Sequence, residues 1–419
     1  MKLTCIDDDD IQVVIAGLTS GPGGGKTTLI PHVTQIALKQ GIMVFHIPEV
    51  ATWYFSKGIK PGIILSDTSS GLDMQRAFFR TQILWENEMI RLAKQQARLQ
   101  GVKYVLIVCD RTALDALAYM KEGDYWRMAA EEGFSHKDLY ARYTLIVCLA
   151  TAAKGAEEFY KLTNDIVGEE TPEEARSESP ELARELDTRI QRIFMPVENC
   201  TYISNIRDGK QISFRQKLDD AAKVIINAFG IPMPIENEVA HLIIDTSFSE
   251  GRLRAAAQDG VVKQRITQTY LPSSDPAVEL RIRRIEMIEP FTATYYVRTE
   301  KRERSGVFER LEKQVLLNTE EQYAALYAQR NPVLADIVKE RFYFMYETAP
   351  YEKYRGQVDH ILKPASAAGE FVYENETVLD DLATHQPPAF LGKTEQMSGK
   401  VRNYDIASGV NPRQALGLC

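Results

Sequence analysis

Cysteine is scarce in this chain, with five among 419 residues, at positions 5, 109, 148, 200 and 419. Their scatter supplies neither a disulfide framework nor the paired spacing of a zinc site, so reduced thiols in a cytosolic protein are expected. Cys419 is not followed by the residues of a prenylation signal. Long hydrophobic runs are missing as well: no stretch approaches the roughly 20 apolar residues that cross a bilayer. The opening Met1 to Cys5, followed by Asp7 to Asp10, carries no secretory apolar segment. A cytoplasmic location without a transmembrane segment follows as the expectation. Basic residues are not in excess either. With 50 Lys and Arg against 58 Asp and Glu, the net charge is −8, which argues against a general nucleic-acid binder.

What is present reads as globular protein, 44% hydrophobic and 26% charged. The length predicts two to three domains. The most informative run is Thr19-Ser20-Gly21-Pro22-Gly23-Gly24-Gly25-Lys26-Thr27-Thr28, between an apolar strand at Ile11 to Ala16 and a helical pattern opening at Leu29. Four glycines in five residues let the backbone curl around a phosphate with its N–H groups pointing inward. Lys26 would reach the β/γ-phosphates, Thr27 would ligand Mg²⁺, and Thr28 would join the loop residues Gly21, Gly23, Gly24 and Gly25 around the nucleotide. Ser20 stands where the motif ordinarily begins with glycine, so the match is to its Gly-Lys-Thr end. A glycine-rich turn before an ordinary helix is the plainer alternative.

The first 230 residues alternate strands and helices. Strands are expected at Gln12–Ala16, Val44–Ile47, Tyr104–Cys109, Thr144–Leu149 and Tyr202–Ile203, and helices at Thr27–Gln40, Gln75–Gln100 and Gln216–Phe229. Apolar runs with little alternation suit buried strands of a doubly wound parallel α/β sheet. Pro31 is read as lying in the tolerated first helical turn. Gly230 to Pro234 is a break. From 236 to 376 the pattern becomes alternating, with strands at Lys263–Tyr270, Glu279–Ile285, Thr294–Thr299, Phe308–Leu316, Arg341–Tyr346, Gln357–Leu362 and Phe371–Glu374. One helix is expected around Glu320–Gln329 and another at Val333–Lys339. Residues 377–419 read as an irregular tail that wraps the body or stays mobile.

A phosphate loop needs an acid on a nearby strand, and Val105 to Asp110 is an apolar strand ending in one. Asp110 is therefore a metal-site acid, with a helix cap as the alternative. Glu49, at the carboxyl end of the second strand, is a catalytic candidate against a solvated loop acid, and Asp115 is a further acid nearby. After position 236, charges recur at period two, as in Glu279-x-Arg281-x-Arg283, Arg310-x-Glu312 and Lys339-x-Arg341. A solvent-facing sheet is one explanation. A closed barrel with a polar interior for a polyanion is the other, with Arg and Lys as phosphate ligands.

Gly21–Thr28, Pro48 to Thr52, Asp110 to Ala116, Ala150 to Glu157 and Glu181 to Asp187 resemble the P-loop ATPase and kinase-like domain related to bacterial nicotinamide-riboside kinases. In such folds the helical segment near 184 is a lid, which implies nucleotide contacts from Arg184, Arg189 and Arg192, and the Asp110-Arg111 match implies a further one from Arg111. The alternative for the helix arginines is ion pairing with Glu181 and Glu185. The segments around Ile266 to Leu271, Glu279 to Arg283, Tyr296 to Thr299, Arg310 to Lys313, Lys339 to Phe342 and Val358-Asp359 resemble the CYTH, or triphosphate tunnel, fold. The resemblance implies an α+β antiparallel tunnel barrel over 236–376, with Arg265, Arg281, Arg283, Arg298, Lys301, Lys339 and Arg341 as polyanion ligands. Ala240 and Gln357 depart from the catalytic pattern of that fold. The pairing resembles the family of the TRPL translocation defect protein, which implies GTP binding and hydrolysis with Mg²⁺, phosphoinositide recognition at a membrane surface, and a role in trafficking. The residues themselves leave ATP and GTP open, because Lys161 to Asp165 is not a guanine-reading Asn-Lys-x-Asp segment. A regulatory hydrolase using Lys26, Asp110 and Glu49, a small-molecule kinase, a triphosphatase in the tunnel, and a non-enzymatic binding module all remain readings of this sequence.

Overall fold

The computed structural model describes residues 10–60, 69–160, 178–230, 237–257, 259–303, 310–317, 319–377 and 386–418. The break at 231–236, the Lys161 to Asp165 segment and the start of the tail at 378–385 lie outside these. The chain divides into two compact units, one of Met1–Phe229 with Ala349–Lys353, the other of Gly230–Thr348 with Tyr354–Cys419.

The first unit is built on strands β1 (Gln12–Ser20), β2 (Met43–Ile47), β3 (Tyr104–Asp110), β4 (Leu145–Leu149) and β5 (Cys200–Ile203), in the spatial order β2-β3-β1-β4-β5. All neighbouring pairs are parallel. Val105 to Cys109 and Ile146 to Leu149 are buried along their whole length, as the unbroken Val/Ile/Leu runs demand. Helix α1 (Lys26–Lys39) follows β1 and buries Leu29, Val33 and Ala37 at helical spacing. Pro31 sits in its second turn, not the first, where it removes the N–H that would bond the Thr27 carbonyl. Helix α2 (Val50–Phe55) follows β2, and α3 (Ser69–Gln100) leads into β3. Shorter helices α4 (Glu122–Glu131) and α5 (His136–Tyr140) precede β4, and α6 (Pro180–Phe194) precedes β5. A two-residue ladder of β6 (Ile206–Arg207) and β7 (Lys210–Gln211) leads to α7 (Phe214–Asn227), whose side chains pack on α1 and β4. The carboxyl ends of β1, β2 and β3 carry the glycine loop, Glu49 and Asp110 respectively, which is where open parallel sheets bind ligands.

The second unit is a nine-stranded sheet. Its strands are β8 (Asn237–Ile243), β9 (Val261–Leu271), β10 (Val278–Glu289), β11 (Ala293–Glu303), β12 (Arg310–Leu317), β13 (Ile337–Ala349), β14 (Glu352–Lys363), β15 (Phe371–Thr377) and β16 (Thr394–Gln396). They lie in the order β12-β11-β10-β9-β13-β14-β15-β8-β16. Alternation sorts each strand onto two faces. One face buries Ile243, Phe342, Phe344, Val358 and Tyr373 beneath Phe248, Leu253 and Ala257, the last three in and around helix α8 (Glu250–Ala256). Farther along the same face, α9 (Glu320–Tyr327) lays Tyr323 and Leu326 against Ile282 and Tyr296. The other face carries the buried charged residues Arg281, Arg283, Lys301, Lys339 and Arg341.

Two further expectations are corrected. Val333–Lys339 is not a helix: the Asn331 side chain accepts from the Val333 N–H in a turn, and β13 begins at Ile337. Ile337, Lys339 and Arg341 alternate with Val338, Glu340 and Phe342, and that period of two outweighs the local helical propensity. Nor is the described part of the tail irregular. After β16 come α10 (Asn403–Ala407) and α11 (Pro412–Ala415), and Met397, Val401, Ile406 and Ala407 pack on Ala240, Leu242, Tyr270, Ile337 and Val372. Phe344 is fully buried with Tyr346 and Phe390 against its ring. Phe344→Ala should therefore cost about 3–5 kcal/mol of stability, read as a lower urea midpoint; a loss under ~1 kcal/mol would contradict this packing.

Candidate functional site

Gly25 ends the loop at φ 95, a left-handed conformation that favours glycine, with the Phe214 ring 2.8 Å from where a Cβ would stand. Gly21 is confined by contact: a Cβ there would meet the Asp187 Cβ at 2.8 Å and the Ala183 carbonyl at 2.9 Å. Gly23 is also left-handed at φ 77, and Gly24 passes over the Ser20 side chain. The Lys26 ammonium donates to Ser20 Oγ at 3.2 Å and lies 3.8 Å from Asp110 Oδ1. Ser20, the departure from the usual motif, thus serves as a parking place for the lysine. Burial, and then the charge of Arg111, lower the Lys26 pKa against the pull of Asp110, Glu49 and Asp115. Asp110 shifts the other way, raised by burial while Lys26 opposes. Thr27 and Thr28 are exposed in the first helical turn.

Beside the loop lies a cluster organised by Arg111, which holds φ 71 although it is not glycine. Its backbone N–H donates to the Leu18 carbonyl at 2.9 Å. Its guanidinium donates to Glu49 Oε1 at 2.5 Å, to the Ser20 carbonyl at 3.2 Å and to Asp115 Oδ1 at 3.1 Å. Asp115 also accepts from Thr19 Oγ1 at 2.6 Å and from the Thr112 N–H and hydroxyl, both at 2.8 Å. Gln82 on α3 donates to the Arg111 carbonyl at 3.3 Å. Glu49 accepts a second bond from Thr52 at 3.1 Å. Burial would raise its pKa, but the charges of Arg111 and Lys26 and the bonds from Arg111 and Thr52 hold it at about 2. At neutral pH Glu49 is thus a fixed anion and hydrogen-bond acceptor, too weak to retain a proton.

The helix arginines are engaged locally. Arg184 donates to the Ala153 carbonyl at 3.1 Å and to Glu181 at 2.9 Å, and Arg189 to the Ala118 carbonyl at 3.2 Å and to Glu185 at 2.6 Å. Arg192 lies exposed in the last turn of α6. The residue that joins α6 to the loop is Asp187, which sequence reasoning did not single out. Fully buried, it accepts from the Gly21 N–H at 3.3 Å, the Thr151 N–H at 3.0 Å, Lys154 at 2.8 Å and Gln191 at 2.7 Å. An aspartate in the middle of a strongly amphipathic helix was the only signal.

In the second unit Arg281, Arg283, Lys301, Lys339 and Arg341 are all buried. Cross-strand partners share a face. Glu279 opposes Lys301, Arg281 opposes Thr299 and Tyr270, and Arg283 opposes Gln268, itself the partner of Ile337 two residues before Lys339. Arg265 and Arg298 do not join them. Arg265 opposes Glu286 and Glu340, Arg298 opposes Ile282, and both stand exposed on the opposite face. Asp359 receives Lys339 and two bonds from Arg341, each at 2.7 Å, while Glu374 accepts from Arg341 at 2.8 Å and Gln357 at 2.6 Å. Burial opposes the Asp359 charge, but Arg341 and Lys339 hold its pKa at about 2. Ala240 packs in the apolar cluster with Met397 and Val401.

The donor set suits magnesium. Among the described residues Asp110 Oδ1 is buried without a hydrogen-bond donor, and the Thr27 hydroxyl lies on the adjoining turn. No group of three His, Cys, Asp or Glu among the described residues could hold a metal, and Mg²⁺ typically takes only one or two carboxylates together with waters and substrate phosphates. No helix among the described residues is long and apolar enough to cross a membrane.

Residues 12–203 match a family model described as an AAA domain. They form a nucleotide-binding P-loop domain. Comparison with curated proteins finds no match. Among solved structures the chain is similar to an inorganic triphosphatase, at 18% identity over 42% of this chain and 97% of that one, TM-score 0.27. A Pyrococcus horikoshii protein is similar at 20% identity over 35% and 79%, TM-score 0.26. Thymidylate kinase from Ehrlichia chaffeensis is similar at 12% identity over 52% and 98%, TM-score 0.30.

Because the Glu49 pKa is about 2 when folded, below the ordinary 4.5, its contribution is fully present above pH 4.5 and is lost as pH falls toward 2. The difference corresponds to at most about 3 kcal/mol. Glu49→Gln should be less stable than the parent at pH 6 by up to that amount, and chemical denaturation should show the gap shrinking below pH 4.5. A gap independent of pH would contradict the ion pair with Arg111.

Proposed function

We propose that the first unit is a Mg²⁺-dependent nucleoside triphosphatase for GTP or ATP. We further propose that the charged face of the second unit binds polyanionic head groups, phosphoinositides among them, as the interior of a tunnel-like barrel at a membrane surface in protein trafficking. The observation that carries the first part is the largely buried ion pair of Lys26 and Asp110, with a carboxylate oxygen that accepts no hydrogen bond beside a glycine loop. Thr27 and Asp110 would hold Mg²⁺, which when bound neutralises charge on the β- and γ-phosphates. A water oxygen attacks the γ-phosphorus, the bond to the β,γ-bridging oxygen breaks, and nucleoside diphosphate and phosphate leave. Lys26 and the loop N–H groups stabilise the charge that gathers on the bridging oxygen. Glu49 orients the attacking oxygen by accepting its hydrogen bond, and the released proton ends in solvent, because a carboxylate with a pKa of about 2 does not keep it.

A small-molecule kinase is the second reading, with a hydroxyl in place of water. It is favoured by Glu49, an anionic acceptor fixed beside Lys26 and flanked by aromatic residues of α2. A triphosphatase in the second unit is disfavoured by Ala240, which contributes only a methyl group to an apolar cluster.

Lys26→Ala should lower nucleotide hydrolysis at least ~100-fold, measured as phosphate release, with the same loss for either nucleotide; hydrolysis at the parent rate would refute the assignment. For the second unit, Arg281→Ala with Arg283→Ala should weaken sedimentation with phosphoinositide-containing vesicles about ten-fold or more relative to neutral-lipid vesicles. Unchanged binding would remove this face as the site.

A further inference from the structure

Behind the glycine loop lies a buried cation that the phosphate chemistry leaves unused. Lys217, on α7, is only 3% exposed. Its ammonium donates to the Ala150 carbonyl at 2.6 Å and to Asn205 Oδ1 at 2.7 Å, and both acceptors are neutral. Desolvating an ammonium against neutral partners is costly, so a lysine kept here points to a task at this place. Asn205 is buried too, and its whole amide is engaged. While Oδ1 accepts from Lys217, Nδ2 donates to the Thr151 and Lys154 carbonyls, both at 2.8 Å. Those bonds fix which way the amide faces. Lys217 and Asn205 together hold three carbonyls of the segment that follows β4: Ala150, Thr151 and Lys154. The same segment holds the glycine loop. The Ala152 N–H donates to the Gly23 carbonyl at 3.2 Å, and the Thr151 hydroxyl donates to the Pro22 carbonyl.

In a planar trans peptide the N–H points opposite to the carbonyl. With the Pro22 and Gly23 carbonyls held by the segment after β4, the N–H groups of Gly23 and Gly24 are therefore directed away from it. We propose that Lys217 and Asn205 are positioning residues for the phosphate loop. Through Ala150 to Lys154 they fix the Pro22 and Gly23 carbonyls, and with them two N–H groups that bind phosphate. The proposal rests on the nucleotide-binding reading of the first unit, not on whether GTP or ATP is bound. The Lys217 charge takes part. Burial lowers its pKa to about 8, against the pull of Asp187 and Cys148. Burial also keeps the Cys148 thiol protonated, and Asp187 is paired with Lys154 at 2.8 Å. On α7 itself Asp220, one turn on, accepts from Arg207 at 2.5 Å and Gln216 at 2.7 Å. Above pH 8 the neutral amine makes weaker bonds than the ammonium. A phosphate bound beyond the loop favours the ammonium, so triphosphate binding is strongest below pH 8 and declines as pH rises through it.

The test uses the full chain with Mg²⁺ and a fluorescent, non-hydrolysable nucleoside triphosphate. Lys217→Met keeps the stem and removes the ammonium. At pH 7 it should weaken binding about ten-fold or more in a protein that still unfolds cooperatively, because two buried acceptors lose their donor. Asn205→Ala should do the same. The double variant should lie within about three-fold of the weaker single one, since both residues act through one segment. Between pH 7 and pH 9.5 the parent should lose at least about three-fold more affinity than Lys217→Met. Lys26, whose pKa burial also lowers, titrates in both proteins and cancels from that comparison. A packing defect alone would leave the two pH profiles parallel. Should Lys217→Met not unfold cooperatively, Lys217→Gln replaces it in every arm. Affinity within about two-fold of the parent in both single variants overturns the proposal, as do additive losses in the double variant. Parallel pH profiles overturn it too. Failure of the parent to bind the triphosphate would instead refute the nucleotide-binding reading.

Discussion

The guanidinium of Arg111 is the contact on which the phosphate site depends. Three segments distant in sequence converge on it: the carbonyl of Ser20 at the start of the glycine loop, Glu49 after β2, and Asp115 beyond β3. Burial works against its charge, and Tyr119, Glu49 and Asp115 more than offset that. The backbone accepts a left-handed conformation at this residue, which costs of order 1 kcal/mol or more for a side chain other than glycine. A hydrogen bond to Leu18 and another from Gln82 hold it there. Strain retained at such a place is consistent with a site in which geometry matters more than local ease.

Asp187 braces the other side of the loop. One buried carboxylate gathers Gly21, Thr151, Lys154 and Gln191, so α6 is fixed to the loop by its side chain and not through its arginines. Three acids divide the work. Asp115 and Glu49 set the side facing β2 and β3, and Asp187 sets the side facing β4. Between them lies the glycine loop, and Lys26 stays within reach of Ser20 and Asp110.

Much of this was legible because it is local. A glycine loop between a strand and a helix, and an acid ending an apolar strand, are patterns a few residues long. Asp187 was hard to read, since its partner Gly21 is 166 positions away and its place in the middle of an amphipathic helix was the only mark of it. In the antiparallel unit, period-two spacing put Arg281 with Arg283 and Lys339 with Arg341 on common faces. It could not say which face Arg265 or Arg298 takes, because that depends on register, and a one-residue shift turns a strand over. The helix expected at Val333–Lys339 failed for a related reason: its last residues belong to a strand whose pairing lies with β9. The tail packs on the body, one of the two alternatives the sequence left open; its apolar residues Met397, Val401 and Ile406 are too few and too far apart to form the periodic signal that would have decided between them.

Calorimetric titration of a nucleoside triphosphate into Arg111→Met tests the central claim most directly. The substitution keeps side-chain length and removes the charge that joins Ser20, Glu49 and Asp115. If Arg111 organises the phosphate site, triphosphate affinity should fall at least ten-fold in a protein that still unfolds cooperatively. Affinity within two-fold of the parent would show that the glycine loop and Lys26 form the site without it.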